Sequence, residues 1–205
     1  MKKYYWDNFY KKKKTPTKET SFAKFVYKKV KKLNLKIFDI GCGNGRDTVF
    51  FNKKGIECIG LDKSKEIIEK NRRKYKKFSN NFFKKNFCNY FKKKNTDPFI
   101  IYSRFTWHSI NYNDEKNLIS SLKKNKNLKY LFIEARTTND EIYGDGKMIG
   151  KHEFMTSHYR RFIDSKIIRE QLSKFLKIIY FKESKNLAKF KKENPCVLRI
   201  IAKQK

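Results

Sequence analysis

The sequence predicts an α/β domain, a parallel sheet covered by helices on both faces. Three observations carry that expectation. Short apolar runs alternate with stretches of helical spacing, the pattern of repeated strand–helix–strand units. A glycine-rich turn, Gly41-Cys42-Gly43-Asn44-Gly45, falls between the first core strand and the helix after it, where open α/β sheets form a ligand crevice. The next strand closes on an acid, Asp62, 17 residues beyond Gly45.

The elements follow in order. Residues 1–20 form a basic, aromatic arm containing Tyr4, Tyr5, Trp6, Phe9 and Tyr10. Aromatic residues at 5, 6, 9 and 10 suit one helix face, which either closes over the ligand crevice as a lid or docks on the domain as core. Residues 21–33 carry apolar side chains at 22, 25, 26, 30 and 33, a helical spacing. Residues 36–40 read as a buried strand, and 46–54 as a helix stopped by Gly55. A second strand covers 57–61, and Ser64 caps a helix running to about residue 75. Strands at 81–85 and 98–103 flank a less regular stretch. A helix over 113–124 leads to a fifth strand at 128–135.

Residues 136–164 are polar and too long for an ordinary connection, so they read as a functional insertion. A helix over 165–175 and strands at 176–182 and 196–202 close the chain. With no internal repeat and no linker, residues 21–205 are expected to form one domain, a size that buries a single sizeable core.

The formal charge is +32, from 52 basic and 20 acidic residues. Only nine of the basic residues are arginine. The lysines are scattered in runs such as 11–14, 28–32, 92–94 and 123–126, with no dominant tract. A Lys-, Asn-, Ile- and Phe-rich chain is the product of an AT-biased genome, and that reading is preferred over a dedicated surface for nucleic acid or another polyanion. Four dispersed cysteines (42, 58, 88 and 196) include no CxxC pair, which argues against a zinc site or a disulfide framework. No signal-like or membrane-length apolar run occurs, so the expectation is a cytoplasmic protein with no membrane span.

In Asp39-Ile40-Gly41-Cys42-Gly43-Asn44-Gly45-Arg46-Asp47, the first two glycines permit a tight turn and close approach of a ligand to the backbone. Gly45 permits close packing at the helix start. An acid at the end of the second strand accepts hydrogen bonds from ribose hydroxyls. The spacing Gly-x-Gly-x-Gly departs from the Gly-x-Gly-x-x-Gly of dinucleotide-binding domains, and no room remains for a hydride-transfer domain.

With these residues the sequence resembles the class I methyltransferases that use S-adenosylmethionine (SAM), over roughly residues 21–203. The resemblance implies a Rossmann-like three-layer sandwich, a mostly parallel seven-stranded sheet with one antiparallel C-terminal strand. It implies SAM as cofactor, with Gly41, Gly43 and Gly45 beneath the methionine part, Asp39 orienting that end and Asp62 holding the ribose. Asp47 either assists the amino group or is a favourable first-turn carboxylate. Where the family often places an acid against the adenine amino group this chain has Asn86, whose amide oxygen can accept the same bond. Ser103 is a further cofactor-side candidate at the end of the fourth strand.

That strand runs into Tyr102-Ser103-Arg104-Phe105-Thr106-Trp107-His108. The Asn/Asp-Pro-Pro-aromatic motif of many base N-methyltransferases is absent, which counts against that acceptor class. His108 is a candidate general base, with His158 as a second candidate; the alternative for His108 is packing at a helix start. Arginine is scarce in this chain, and its planar fork holds phosphate or carboxylate bidentately. Arg104, Arg136, Arg160 and Arg161, with Tyr143, are therefore candidates for an anionic acceptor site. Internal ion pairs to Asp140, Glu141 and Asp164 are the competing reading. His152, Glu153 and His158 lack the tight spacing of metal ligands, so no metal is expected. The patterns around Arg104–His108, Glu134–Arg136 and His158–Phe162 look similar to small methyltransferases of bacterial surface-polysaccharide gene clusters. That likeness implies O-methylation of a sugar or a phosphorylated precursor. An RNA methyltransferase and a non-catalytic SAM-binding protein are the alternatives.

Overall fold

The computed structural model describes residues 5–12, 15–92 and 97–205. Tyr4 of the aromatic arm and Lys13, Lys14, Lys93 and Lys94 of the basic runs lie outside the described residues. The chain opens with α1 (Tyr5–Lys12) and α2 (Ser21–Val30). The alternating part follows as β1 (Lys36–Ile40), α3 (Arg46–Lys53), β2 (Cys58–Asp62), α4 (Lys65–Lys74), β3 (Phe82–Lys84), α5 (Phe87–Tyr90), β4 (Phe99–Arg104), α6 (Tyr112–Lys123) and β5 (Leu128–Arg136). Three short strands come next, β6 (Lys147–Gly150), β7 (Glu153–Met155) and β8 (Tyr159–Arg161). The chain ends with α7 (Ser165–Ser173), β9 (Leu176–Ser184) and β10 (Val197–Gln204).

Most helices start where a short polar side chain satisfies the first free N–H groups. Thr20 accepts from the Ala23 N–H, Ser64 from Ile67, Asn111 from Asp114, and Asp164 from both Lys166 and Ile167. The helix α3 has no side-chain cap; its N-cap is Gly45 at φ 71°, and its first turn is left open toward the glycine loop.

Seven strands form one sheet in the order β3-β2-β1-β4-β5-β10-β9. The pairings are parallel except those of β10, which runs antiparallel to both β5 and β9. This is the expected Rossmann-like sandwich, with its single reversed strand. Alternate side chains of one strand feed opposite cores. Phe38 and Ile40 of β1, with Phe99 and Ile101 of β4, pack under Leu118, Leu122, Ile168 and Leu172 of α6 and α7. Ile37, Ile100 and Tyr102 face the other way, against Phe22, Val26 and Phe51 of α2 and α3. Burying each such side chain contributes about 1.5–3 kcal/mol. The register Asp39↔Gly60 and Asp39↔Tyr102 brings the ends of β1, β2 and β4 level, so their C-terminal residues share one edge.

The expected polar loop at 136–164 instead contains an antiparallel three-stranded sheet, β6-β7-β8. Its strands are three or four residues long, too short for alternation to show in the sequence. Phe154, Tyr159 and Phe162 give it a small buried face. At the other end of the chain, α1 docks on α4: Asp7 accepts from the Ser64 hydroxyl and, at 3.4 Å, from the Glu66 N–H, while Lys70 donates to the Tyr10 carbonyl.

Candidate functional site

The glycine loop lies at the C-terminal edge of β1 and takes a backbone course that requires glycine. Gly41 and Gly43 have φ of 69° and 51°. A Cβ on Gly41 would collide with the Thr106 side chain, whose hydroxyl donates to the Ile40 carbonyl at 2.7 Å. A Cβ on Gly43 would sit 2.8 Å from the Tyr10 hydroxyl. Two cavities flank this loop, with Gly41, Trp6, Tyr10 and Phe105 in the walls of both. One, of about 80 Å³, is lined by Asp62, Lys63, Phe87, Thr106 and Ile110. The other, of about 290 Å³, reaches Asp39, Arg46, Asp47, Arg104 and His108. The arm helix α1 is fixed to α4, and its Trp6 and Tyr10 line both cavities.

The three acids of the sequence motif have distinct surroundings. Asp62 bridges the loop to α4, accepting from the Gly43 N–H at 3.0 Å and the Ser64 N–H at 2.9 Å. Burial pushes its carboxyl above the ordinary value, and those backbone donors oppose the shift. Asp39 is pushed up to about 8, first by burial and then by the neighbouring Asp47 charge, while the Thr48 hydroxyl, donating at 2.6 Å, opposes this. Asp47 is engaged on both oxygens. One accepts from the Thr20 N–H at 2.8 Å; the other accepts from the Thr20 and Tyr102 hydroxyls at 2.8 and 2.7 Å. It clasps the start of α2 to α3.

Two cofactor-side candidates are placed elsewhere. Asn86 is exposed and caps α5 by accepting from the Cys88 N–H; its neighbour Phe87 is the residue in the cavity wall. Ser103 is fully buried, its hydroxyl without a partner, because β4 alternates and presents Tyr102 and Arg104 to the cavity instead. Residues in the cavity walls that the sequence reading did not select include Arg46, Lys63, Phe87, Phe105 and Thr106. A signal existed for Arg46, a rare arginine directly after the third glycine. Burial and the nearby Arg104 guanidinium both lower its pKa.

On the acceptor side, Phe105 is the hub. It holds the left-handed conformation at φ 53°, uncommon for a bulky side chain and a form of strain found at functional sites. The Arg104 guanidinium lies 4.2 Å from its ring centroid, that of Arg136 5.9 Å, and the His108 ring 5.2 Å. Arg104 is also paired with the buried Glu134 at 2.9 Å, which Arg199 shares at 2.7 Å. Arg136 pairs with Asp140 and Glu193. His108 Nδ1 is buried without a partner. Burial, then the charges of Arg136, Arg160, His158 and Arg104, push its imidazole down to about 3, so it stays neutral at physiological pH. His158 packs edge-on to Trp6 at 6.2 Å, and Arg160 reaches the Thr156 hydroxyl at 3.5 Å.

Arg161 and Tyr143 are not in this group. Arg161 is buried against Glu115 and donates to the Ile110 and Trp107 carbonyls. Tyr143 bonds His152 Nδ1 at 2.8 Å on the small sheet. Of the internal pairs expected to Asp140, Glu141 and Asp164, Arg136 makes the one to Asp140; Arg161 pairs with Glu115 and Arg104 with Glu134 instead. Among the described residues no group of three or more His, Cys, Asp or Glu is placed to hold a metal ion, and no helix is long and apolar enough to cross a membrane.

Comparison with known proteins bears on the glycine-loop half most directly. Residues 37–125 match the family model described as "Methyltransferase domain". No curated protein matches the sequence. The fold is similar to that of the glycopeptide N-methyltransferase MtfA complexed with SAM, with a TM-score of 0.66 at 13% identity, covering 92% of this chain and 95% of that one. A SAM-dependent methyltransferase from Clostridium acetobutylicum gives 0.65 at 15% identity, covering 90% and 91%. The PH0226 protein from Pyrococcus horikoshii gives 0.68 at 15% identity, covering 90% and 88%. At these identities the structural likeness establishes the fold, and the family match is a similarity over residues 37–125, less than half of the chain.

Proposed function

We propose that this enzyme, a SAM-dependent methyltransferase, methylates a hydroxyl of a small anionic acceptor such as a sugar acid or phosphorylated sugar, in the manner of surface-polysaccharide precursors. The observation that carries the acceptor class is the cavity of about 290 Å³, where Arg46 and Arg104 line the wall beside a neutral His108. Like-charged guanidiniums this close are stabilised by an anion between them.

The residues present fit the cofactor. Gly41 and Gly43 leave the backbone bare where a Cβ would intrude, and the flat slot beside Asp62 is walled by Phe87 and Ile110. In this reading Asp62 accepts from the ribose hydroxyls, and Asp39 faces the amino group of the methionine part. When bound, SAM supplies both the methyl group and its own leaving group, so the chain has mainly to align the acceptor and exclude water. Arg104 and Arg136 hold the anion, Phe105 orients it, and Trp6 and Tyr10 of the arm roof the site. His108 takes the acceptor's hydroxyl proton: burial is the first cause of its low pKa, and an anion beside it cancels the further lowering that the neighbouring arginines add.

Labelled SAM tests this with matched acceptors. Label is expected on sugar phosphates or uronates and not on neutral sugars or RNA. Arg104→Leu is expected to lower turnover at least about tenfold, the equivalent of one lost charge-assisted hydrogen bond, with donor affinity unchanged. Label appearing on RNA or neutral sugars alone would refute the acceptor assignment.

A further inference from the structure

A larger cavity, of about 360 Å³, lies away from the glycine loop, between the small sheet, the start of α6 and α7. It shares no lining residue with the two glycine-loop cavities. Arg161, Glu115 and the backbone at Trp107 and Ile110 separate them: Arg161 pairs with Glu115 and donates to the carbonyls of both residues. Phe162, Ile163, Ile167 and Ile168 give it apolar walls, and Tyr112, 49% exposed, stands at its edge. A ring-sized volume that combines apolar walls with polar groups at fixed positions is the usual form of a small-molecule site.

The charge around it runs against the rest of the molecule. In a chain of +32, this cavity is lined by three carboxylates, Glu115, Glu153 and Asp164, and two cations, Arg161 and Lys151. Arg161 neutralises Glu115. Asp164 is committed to the α7 cap, so the N–H groups of that helix start are already occupied and offer no anion site. Lys151 is exposed. Glu153 accepts a long bond, 3.3 Å, from the Tyr112 N–H and meets the Tyr159 hydroxyl, which leaves carboxylate lone pairs over, and no lysine or arginine among the described residues lies within ion-pair distance of it. Two further polar atoms in the lining residues, His152 Nε2 and Gln171 Oε1, are buried with no partner. His152 is held there at φ 60°, its Nδ1 bonded to the Tyr143 hydroxyl. When Nδ1 is the protonated nitrogen, Nε2 is an acceptor, as are the Gln171 oxygen and the Glu153 carboxylate. Three acceptors match the three N–H donors of an ammonium group, and unmet buried acceptors are costly until a ligand supplies donors.

We propose that this cavity is a second ligand site, separate from the cofactor crevice, that takes an organic ammonium carried on an apolar ring. The ring lies between Ile167, Ile168 and Phe162, and the ammonium lies at Glu153.

The test uses the whole protein with isotope-labelled isoleucine methyl groups, saturated with S-adenosylhomocysteine to block the glycine-loop cavities. Three probes of one shape are titrated: 2-phenylethylamine, 2-phenylethanol and phenylacetate. The amine is expected to move the Ile167 and Ile168 methyl signals saturably. The alcohol should bind at least about tenfold more weakly, and the acid should leave the signals unmoved, the difference expected of one charge-assisted contact. Glu153→Gln should weaken the amine by about the same factor and leave the alcohol unchanged. Ile167→Lys, at a position already 39% exposed, should block both and carries the test if the first variant does not fold. Silence of these methyls toward the amine, equal binding of the alcohol, preference for the acid, or an unaffected Glu153→Gln would each overturn the proposal.

Discussion

The glycine-loop half and the arginine-rich half of the molecule both concentrate charged residues, and they employ them in opposite ways. Around the loop the acids meet backbone N–H groups and hydroxyls. Asp62 binds Gly43 and Ser64, Asp47 binds Thr20 and Tyr102, and Asp39 binds Thr48. In the arginine-rich half guanidiniums meet carboxylates and aromatic faces: Arg104 and Arg199 on Glu134, Arg161 on Glu115, Arg104 and Arg136 over Phe105. The first arrangement fixes backbone geometry, so its residue types are dictated by position. The second fixes side chains against side chains, so its partners are far apart in sequence and its role depends on which guanidinium surface is left over.

Perturbing the two halves separately sharpens this contrast. The largest effect is expected from Arg161→Leu, which leaves Glu115 buried without its partner and should cost about 3–5 kcal/mol of stability in urea unfolding. SAM affinity measured below the transition should be nearly unchanged, since that pair lies outside both glycine-loop cavities. In the other half, Gly41→Ala combines a left-handed backbone with a collision against Thr106, and about 2–4 kcal/mol should be lost together with cofactor binding. Gly43→Ala meets only the end of the Tyr10 side chain, which can swing, so about 1–2 kcal/mol is expected, the strain of the backbone alone. Equal losses at the two glycines would contradict this difference between a buried Thr106 and a movable Tyr10 side chain.

The smallest effect is a matter of protonation. The folded value for His108, about 3, lies below its value in an unfolded chain, about 6.5. The unfolded state therefore binds the extra proton in that interval, and the His108 contribution to stability falls as pH drops from about 6.5 towards 3. Its ring resonances should not titrate between pH 5 and 8 in the free protein. Adding a sugar phosphate that occupies the arginine site should bring the titration upward into that window; no change on adding such anions would separate His108 from the acceptor site.

Much of the fold was legible because strand–helix alternation, Gly41, Gly43 and Asp62 are local signals. Seven strands and the reversed β10 were what the family resemblance implied. The small sheet was not legible: β7 and β8 are three residues each, and their pairing is a property of tertiary packing. Asn86 and Ser103 show a second limit. Asn86 sits at the right place along the chain, but a four-residue helix begins there and takes its amide as a cap. Ser103 lies one residue out of phase with the cavity, as the period of two in β4 requires. Phe105 had no sequence signal at all, because its importance rests on a left-handed φ and on two guanidiniums from different strands. Arginine scarcity singled out a residue type without separating Arg104, in the cavity wall, from Arg161, paired with Glu115.

The central claim is that the crevice around the glycine loop binds SAM through Asp62. Calorimetric titration with S-adenosylhomocysteine, wild type beside Asp62→Ala, tests it most directly. Asp62 makes two bonds to the loop and α4 and is assigned the ribose, so the substitution should weaken binding about 100-fold, the equivalent of one to two charge-assisted hydrogen bonds. Saturable one-site binding by the wild type with that loss in the variant is the predicted result. A folded wild-type protein that binds no S-adenosylhomocysteine, or a folded variant that binds it as tightly as the wild type, would contradict the account.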